Sequence, residues 1–321
     1  MIAPIAQIAT AAAPLVVAVS GKLGEFLQGV DSEGNPFLYT ATLSSTETGS
    51  TAAIRRTIPS SSLQVVQAAP ERAKTLGTGM DAFQKTRRAL QSLLTRKQIA
   101  SPWDFEVRLI NSPVSAKGLG ASSTDMAASL LATARYLGLE VTNQELFTLM
   151  CDIERSDYLF QPDRLVRANP LSAEYTVQGS IPPLWLMAWD TEPDRTISTE
   201  EVAYLDHIRR AYASEYLELA GYCESAETDA LLAAATRSGQ INQSFLPKPC
   251  HPWALNQADE NQAGLVVAHS GTFMAFALPQ EGCDLDRLAY LEATLLSNGF
   301  APVLLQTGRL GRPETEQQEL V

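Results

Sequence analysis

Between residues 112 and 125 the chain reads Ser112-Pro-Val-Ser-Ala-Lys-Gly-Leu-Gly-Ala-Ser-Ser-Thr-Asp125, and the hydrophobic period changes across it. Upstream, Phe105, Val107 and Leu109 alternate with Asp104, Glu106 and Arg108, a period of two that predicts a half-buried strand. Downstream, Ala127, Leu130, Leu131 and Ala134 recur at helical spacing, and Ser122, Ser123 and Thr124 stand where a helix start is capped. Gly118 and Gly120 lie between and let the backbone come close to a ligand. A strand, a small-residue turn and a helix start aim N–H groups and a positive dipole end at one spot, which is an anion site. The same run also serves as an ordinary strand-to-helix connection.

The bulk composition narrows the classes. A chain of 321 residues suits one large or two modest domains, and 45% hydrophobic with 19% charged residues is ordinary globular composition. A formal charge of −12 argues against a nucleic-acid binder, which needs a basic face. The four cysteines, Cys151, Cys223, Cys250 and Cys283, show no metal-binding spacing and read as reduced thiols of a cytoplasmic protein. Residues 2–19 are apolar, but they lack a basic n-region and carry Pro4 and Pro14. They are therefore expected to be an irregular start followed by a buried strand from Pro14 to Ser20, with no membrane segment in the chain.

Further along, Asp81 to Lys97 reads as an amphipathic helix, and Thr142 with Glu145 forms a capping box before a helix over 143–154. Residues 44–62 read as strand and loop. The prolines and glycine of 160–180 suggest a domain junction, expected to divide the chain into 1–165 and 166–321. Ile181–Trp189 reads as a strand, and Glu200–Ala220 and Ala226–Arg237 as helices. Strands at Leu265–Ala268, Phe273–Leu278 and Val303–Gln306, with a helix at Leu285–Leu296, make a fragment of a split βαβ sandwich. The tail after Gly308 is polar.

Lys117 precedes Gly118 instead of following a second glycine, so the loop is neither a Walker sequence nor G-x-G-x-x-G. It resembles the phosphate loop of the GHMP kinases, P-x-x-x-G-L-G-S-S-A, with one extra residue after Pro113 and Ala121 in place of the first serine. Gly21-Lys-Leu-Gly-Glu25 is similar to that family's first motif, with Ser20 where proline is usual. Val266-Val-Ala-His-Ser-Gly-Thr272 stands where the third motif belongs. Within the family, Gly24-Glu-Phe-Leu-Gln-Gly29, Ile153-Glu-Arg-Ser-Asp157 and Asn242-Gln-Ser-Phe-Leu-Pro-Lys-Pro249 most resemble the L-threonine kinases, although Arg155 replaces a proline.

The resemblance implies an α+β GHMP kinase fold, with an N-terminal domain like ribosomal protein S5 domain 2 and a ferredoxin-like C-terminal domain. It implies ATP and Mg²⁺ as cofactors, with phosphates over Lys117, Gly118, Leu119, Gly120, Ala121, Ser122, Ser123 and Thr124. Ser122 and Glu154 would hold the metal and Asp157 would face the acceptor hydroxyl, since paired acids suit phosphoryl transfer. Two solvated acids paired to arginine would leave the same sequence. Lys117 is a candidate phosphate contact or a surface lysine, and Lys22 is a second phosphate candidate. Glu25, Asp125, Lys248, His269, Ser270, Gly271 and Thr272 are the candidate substrate contacts, with Lys248 for the carboxylate. A lone histidine such as His269 is also a common structural residue. The expected acceptor is L-threonine or a related hydroxy amino acid. Homoserine, serine, a specialised intermediate and a non-catalytic ligand-binding role stay open, as does oligomeric state, a homodimer included.

Overall fold

The computed structural model describes residues 14–45, 48–67, 80–111, 117–195, 197, 205–225 and 227–308. In chain order the first elements are β1 (Leu15–Val19), β2 (Leu27–Val30), β3 (Pro36–Thr40), β4 (Ser50–Ser60) and β5 (Gln64–Gln67). Then come α1 (Met80–Arg96), β6 (Trp103–Asn111), α2 (Ala121–Tyr136), α3 (Asn143–Cys151), β7 (Arg164–Asn169), β8 (Glu174–Ser180) and β9 (Leu184–Asp190). The remainder is α4 (Asp206–Arg209), α5 (Ala213–Glu224), α6 (Thr228–Asn242), α7 (His251–Glu260), β10 (Gly264–Val267), β11 (Phe273–Pro279), α8 (Leu285–Ser297) and β12 (Val303–Thr307).

The first sheet has the order β1-β4-β6-β5, antiparallel except for the parallel β5–β6 pair. Helix α2 packs on β4 and β1 and against α1, so it is buried almost all round. Its alanines, serines and threonines permit that close approach, and Met126, Ala127, Ala128 and Leu130 join the core beneath it. The expected buried first strand exists as β1, but it is an edge strand covered on one face only, and Val16 is 49% exposed. The irregular start expected before it lies outside the described residues.

The second sheet, β2-β3-β7-β8, is antiparallel throughout. The expected divide at residues 165 and 166 falls inside β7, which pairs with β3. The third sheet has the antiparallel order β10-β11-β9-β12. Numbered from β9, that is 2-3-1-4 with helices after the first and third strands, the ferredoxin-like arrangement. Helix α6 packs on β2 and β10 and so ties the second sheet to the third.

Thr142 Oγ1 accepts from Glu145 N at 3.1 Å and caps α3, as the sequence pattern predicts. The helix ends at Cys151, three residues short of the expected end, and Glu154 and Asp157 lie in the loop beyond it. Instead of one long helix to Ala220, α4, a 3₁₀ turn (Arg210–Tyr212) and α5 follow one another. Residues 198–204 and the tail after 308 lie outside the described residues. All four cysteines are free thiols.

Candidate active site

Three segments distant in sequence close on the start of α2. Gly24 N donates to Gly118 O at 3.0 Å and Lys22 N to Leu119 O at 3.3 Å. Thr272 N and Phe273 N both donate to Lys117 O at 3.2 Å. These contacts leave no room for side chains. A Cβ on Gly118 would stand 2.3 Å from Ala268 Cβ, and one on Gly271 would stand 2.3 Å from Gly118 N and the Lys117 carbonyl. The α2 N-cap is Gly120, with φ 74° and no side-chain cap. The expected capping by Ser122, Ser123 and Thr124 is therefore not made, because the helix begins one residue earlier and takes all three into its first turn. Thr124 Oγ1 donates back to Ala121 O at 2.9 Å, while Ser122 Oγ is buried with no partner. A helix start without a side-chain cap keeps its N–H groups for an anion.

Against this start lies a buried chain of charge. Lys22, 2% exposed, donates from Nζ to Glu25 Oε1 and, at 2.7 Å, to Asp157 Oδ1. Glu25 Oε2 accepts from the His269 backbone N–H at 3.0 Å and lies 3.2 Å from His269 Nδ1. His269 Nε2 is 2.8 Å from Ser238 Oγ, which accepts from Gln28 N at 3.3 Å. The ionised Glu25 carboxylate can only accept, so His269 carries its proton on Nδ1 and gives it to Glu25, and its neutral Nε2 accepts from the Ser238 hydroxyl. Burial raises the Asp157 carboxyl above the usual range; Lys22 opposes the rise, and Glu25 and Glu154 add to it. Burial alone would raise Glu25 too, but Lys22 and His269 hold it below that range. Burial also favours neutral His269, against the pull of Glu25. Gly120 completes the approach: a Cβ there would lie 3.9 Å from Asp157 Oδ2.

Residues 82–160, from α1 through the glycine loop to Asp157, match the GHMP kinases N terminal domain. Over 213 residues the chain is 28% identical to the L-threonine kinase of Salmonella typhimurium, covering 63% of this chain and 70% of that one. The glycine loop and Asp157 thus lie within a GHMP kinases N terminal domain. Its fold is similar to homoserine kinase from Cytophaga hutchinsonii, with a TM-score of 0.67 at 12% identity, covering 95% of this chain and 97% of that one. It is also similar to Streptococcus pneumoniae phosphomevalonate kinase, solved with phosphomevalonate and AMPPNP, with a TM-score of 0.61 at 12% identity over 90% and 98% of the two chains.

The GHMP kinase fold distributes the expected site residues unevenly. Lys117 is 2% exposed, and its ammonium meets Asp190 Oδ2 at 2.9 Å and the carbonyls of Glu192, Pro193 and Arg195 at 3.0, 2.7 and 2.7 Å. It is neither a surface lysine nor an unengaged cation; it ties the glycine loop to the end of β9. Glu154 Oε2 accepts from Lys85 Nζ at 2.7 Å. Ser123 Oγ accepts from Asp157 N at 3.2 Å and so holds the loop beyond α3 against α2. Asp125 points into the β4 side, where Ser50 Oγ donates to its Oδ1 at 2.5 Å. Lys248 Nζ donates to Ala268 O at 2.9 Å, and burial brings its pKa down to about 8. Ser270, Gly271 and Thr272 form the β10–β11 turn that packs on Lys117 and Gly118. Leu119 and Ala121 line the loop itself.

The sequence reading did not find Ser238 or the link from Lys22 to Asp157. Ser238 sits in an alanine-rich helix, 31 residues from the histidine it meets, and no local spacing marks it. The apolar stretch before Lys22 hides a cation whose partner is 135 residues away. Among the described residues no group of three or more histidines, cysteines or acids gathers to hold a metal.

Proposed function

We propose that this chain is a GHMP kinase that transfers the γ-phosphoryl group of ATP to the side-chain hydroxyl of L-threonine or a closely related hydroxy amino acid. The observation that carries this reading is the Lys22–Asp157 pair, at 2.7 Å, beside a helix start whose N–H groups no side chain caps. The N–H groups at the start of α2 receive the phosphates, and the glycines let the backbone reach them. Asp157 accepts the proton of the acceptor hydroxyl as its oxygen bonds to the γ-phosphorus and the bond to the β-phosphate oxygen breaks, leaving ADP. Burial leaves Asp157 more basic than an ordinary aspartate, which suits that role. Lys22 holds Asp157 in place and offsets charge that builds on the phosphoryl oxygens.

The donors suit a hard cation. Ser122 Oγ is buried without a partner at the loop, and Glu154, which Lys85 engages, lies close enough to Asp157 to add to the rise of its carboxyl, so these two would hold Mg²⁺ together with phosphate oxygens. Bound there, the ion would neutralise phosphate charge. Lys117 contributes by fixing the loop against the C-terminal sheet. The similarity to an L-threonine kinase supports the acceptor class.

The test is ADP release with a panel of L-threonine, L-serine, L-homoserine and compounds without an amino group. Turnover with threonine at least ten-fold above the others, abolished in D157N, is the expected result. ATP binding with no ADP release from any acceptor would reject catalysis.

A further inference from the structure

We infer that Arg209, Asn242 and Tyr216 form the pocket that reads the zwitterionic backbone of the acceptor amino acid, an inference that rests on the amino-acid-kinase reading above. Arg209, at the end of α4, is fully buried. Its Nη1 donates to Asp206 Oδ1 at 3.0 Å and the Tyr216 hydroxyl lies beside it, while Nε and Nη2 make no well-formed hydrogen bond. Asn242, the last residue of α6, is fully buried, and both atoms of its amide are without partners. Tyr216 on α5 is fully buried, which raises its pKa, and its hydroxyl lies beside the Arg209 guanidinium, which favours its ionised form. Phe245, whose ring lies 5.8 Å from the Arg209 guanidinium carbon, donates its N–H to Asn242 O at 3.0 Å and so ties the two residues to one place. Buried polar groups are satisfied almost everywhere in folded proteins, so an arginine edge and an amide left unsatisfied there ask for a ligand.

The charge says which kind. Asp206 also accepts from Arg155 Nη1, at 2.5 Å, so two guanidinium groups share one carboxylate and one positive charge is left over. The unpaired Nε and Nη2 form one edge of a planar fork that matches a carboxylate. Asn242 Nδ2 and the Tyr216 hydroxyl add donors, and Asn242 Oδ1 adds an acceptor for an ammonium group. A fork, two neutral donors and one acceptor suit an α-amino carboxylate better than a phosphate dianion. The Arg209 guanidinium carbon lies 5.8 Å from the Phe245 ring centroid, so that ring forms part of the apolar wall.

The pocket is tied to the reacting groups on two sides. Arg155, which shares Asp206 with Arg209, is two residues before Asp157. Asn242 stands one helical turn beyond Ser238 on the same face of α6, and Ser238 meets the histidine that holds Glu25. Lys248, the carboxylate partner expected from sequence, has its ammonium on Ala268 O.

Calorimetric titration of the full chain with L-2-aminobutyrate, which is threonine without its hydroxyl, and with the carboxamide of that acid tests the assignment. The acid should bind on the order of 10–100-fold more tightly, the value of a charge-assisted bidentate contact. In R209K the preference should fall to within about three-fold, because a point charge lacks the fork, and AMPPNP affinity should be unchanged. Should R209K not fold, R209Q gives the same reading. Equal or absent affinity for acid and amide, or a full preference retained in the folded variants, overturns the assignment. The two readings separate cleanly. Acid preference without ADP release rejects the kinase acceptor and leaves the pocket standing, whereas threonine turnover with equal affinities rejects the pocket alone.

Discussion

Lys22 and Asp157, 135 residues apart in the chain, meet at 2.7 Å between Nζ and Oδ1, and Glu25 flanks the lysine on its other side. One cation between two buried carboxylates leaves a net negative cluster beside a helix start that favours anions. Burial alone would lower the Lys22 pKa, but Asp157 and Glu25 hold it above its ordinary value, so it stays charged. Asp157→Asn keeps the shape and removes the base. It should lower kcat by about 10²–10⁴-fold, the usual share of general-base catalysis, with AMPPNP affinity unchanged by calorimetry. Equal kcat in the variant would remove Asp157 from the reaction.

The pH profile should carry the mark of the same pair. Asp157 is raised by burial, so the acid limb of kcat/KM should lie above the ~3.9 of an ordinary aspartate. Activity should be present above that limb and lost as pH falls through it. Lys22 favours the ionised carboxylate, so Lys22→Met should move the limb further up the pH scale. A limb that stays in place in this variant would show that another group controls it.

Lys117 separates two roles. As a phosphate contact it would raise the KM for ATP when removed and leave stability alone. As a buried cation holding Asp190 and three carbonyls, its loss strands those acceptors. Lys117→Met should cost about 3–5 kcal/mol, the range for breaking one partner of a buried ion pair, read from urea unfolding. An unchanged midpoint with a raised KM would return Lys117 to the phosphates.

Ser238 offers a quieter test. Its hydroxyl donates to His269 Nε2 and holds the ring whose Nδ1–H meets Glu25, and through Glu25 aligns Lys22. Ser238→Ala leaves His269 Nε2 buried without a partner and should cost about 1–3 kcal/mol of stability. Imidazole nitrogen shifts by NMR should show the Nδ1–H tautomer in both proteins, because Glu25 still accepts from Nδ1. The Nε2 shift should move as its donor is lost, and an Nε2–H form in the variant would show that Ser238 sets the tautomer.

The legible part of this chain was what local spacing carries. The alternation over 104–109, the Thr142 cap and the order of elements from Leu265 to Gln306 all follow from periods of two or 3.6 and from turn residues, and all are present. The glycine turn between β6 and α2 was legible for the same reason, although such a turn also serves as an ordinary connection. What spacing does not carry is partnership across the fold. Lys117 reads as a loop lysine, and only tertiary packing places four acceptors around it. Arg209 reads as an ordinary helix residue and Asn242 only as the first residue of a motif of resemblance, since their missing partners are visible only in three dimensions. Glu154 and Asp157 were found as a pair, but their register on a helix was not, because α3 stops at Cys151.

Glycine positions allow a final comparison with opposite signs. A Cβ on Gly271 would press on the Lys117 carbonyl and Gly118 N at 2.3 Å, against backbone that has no rotamer to yield. Gly271→Ala should therefore destabilise by about 1–3 kcal/mol, the usual cost of overpacking, and should weaken ATP binding because it displaces the glycine loop. Gly221, exposed within α5, has nothing within 4 Å of its added Cβ and ordinary helical backbone. Gly221→Ala should stabilise by roughly 0.5–1 kcal/mol through helix propensity alone. Thermal unfolding of the two variants in parallel, with and without AMPPNP, reads both. A Gly271→Ala protein with parent-like stability and nucleotide affinity would mean that the β10–β11 turn does not press on the phosphate loop.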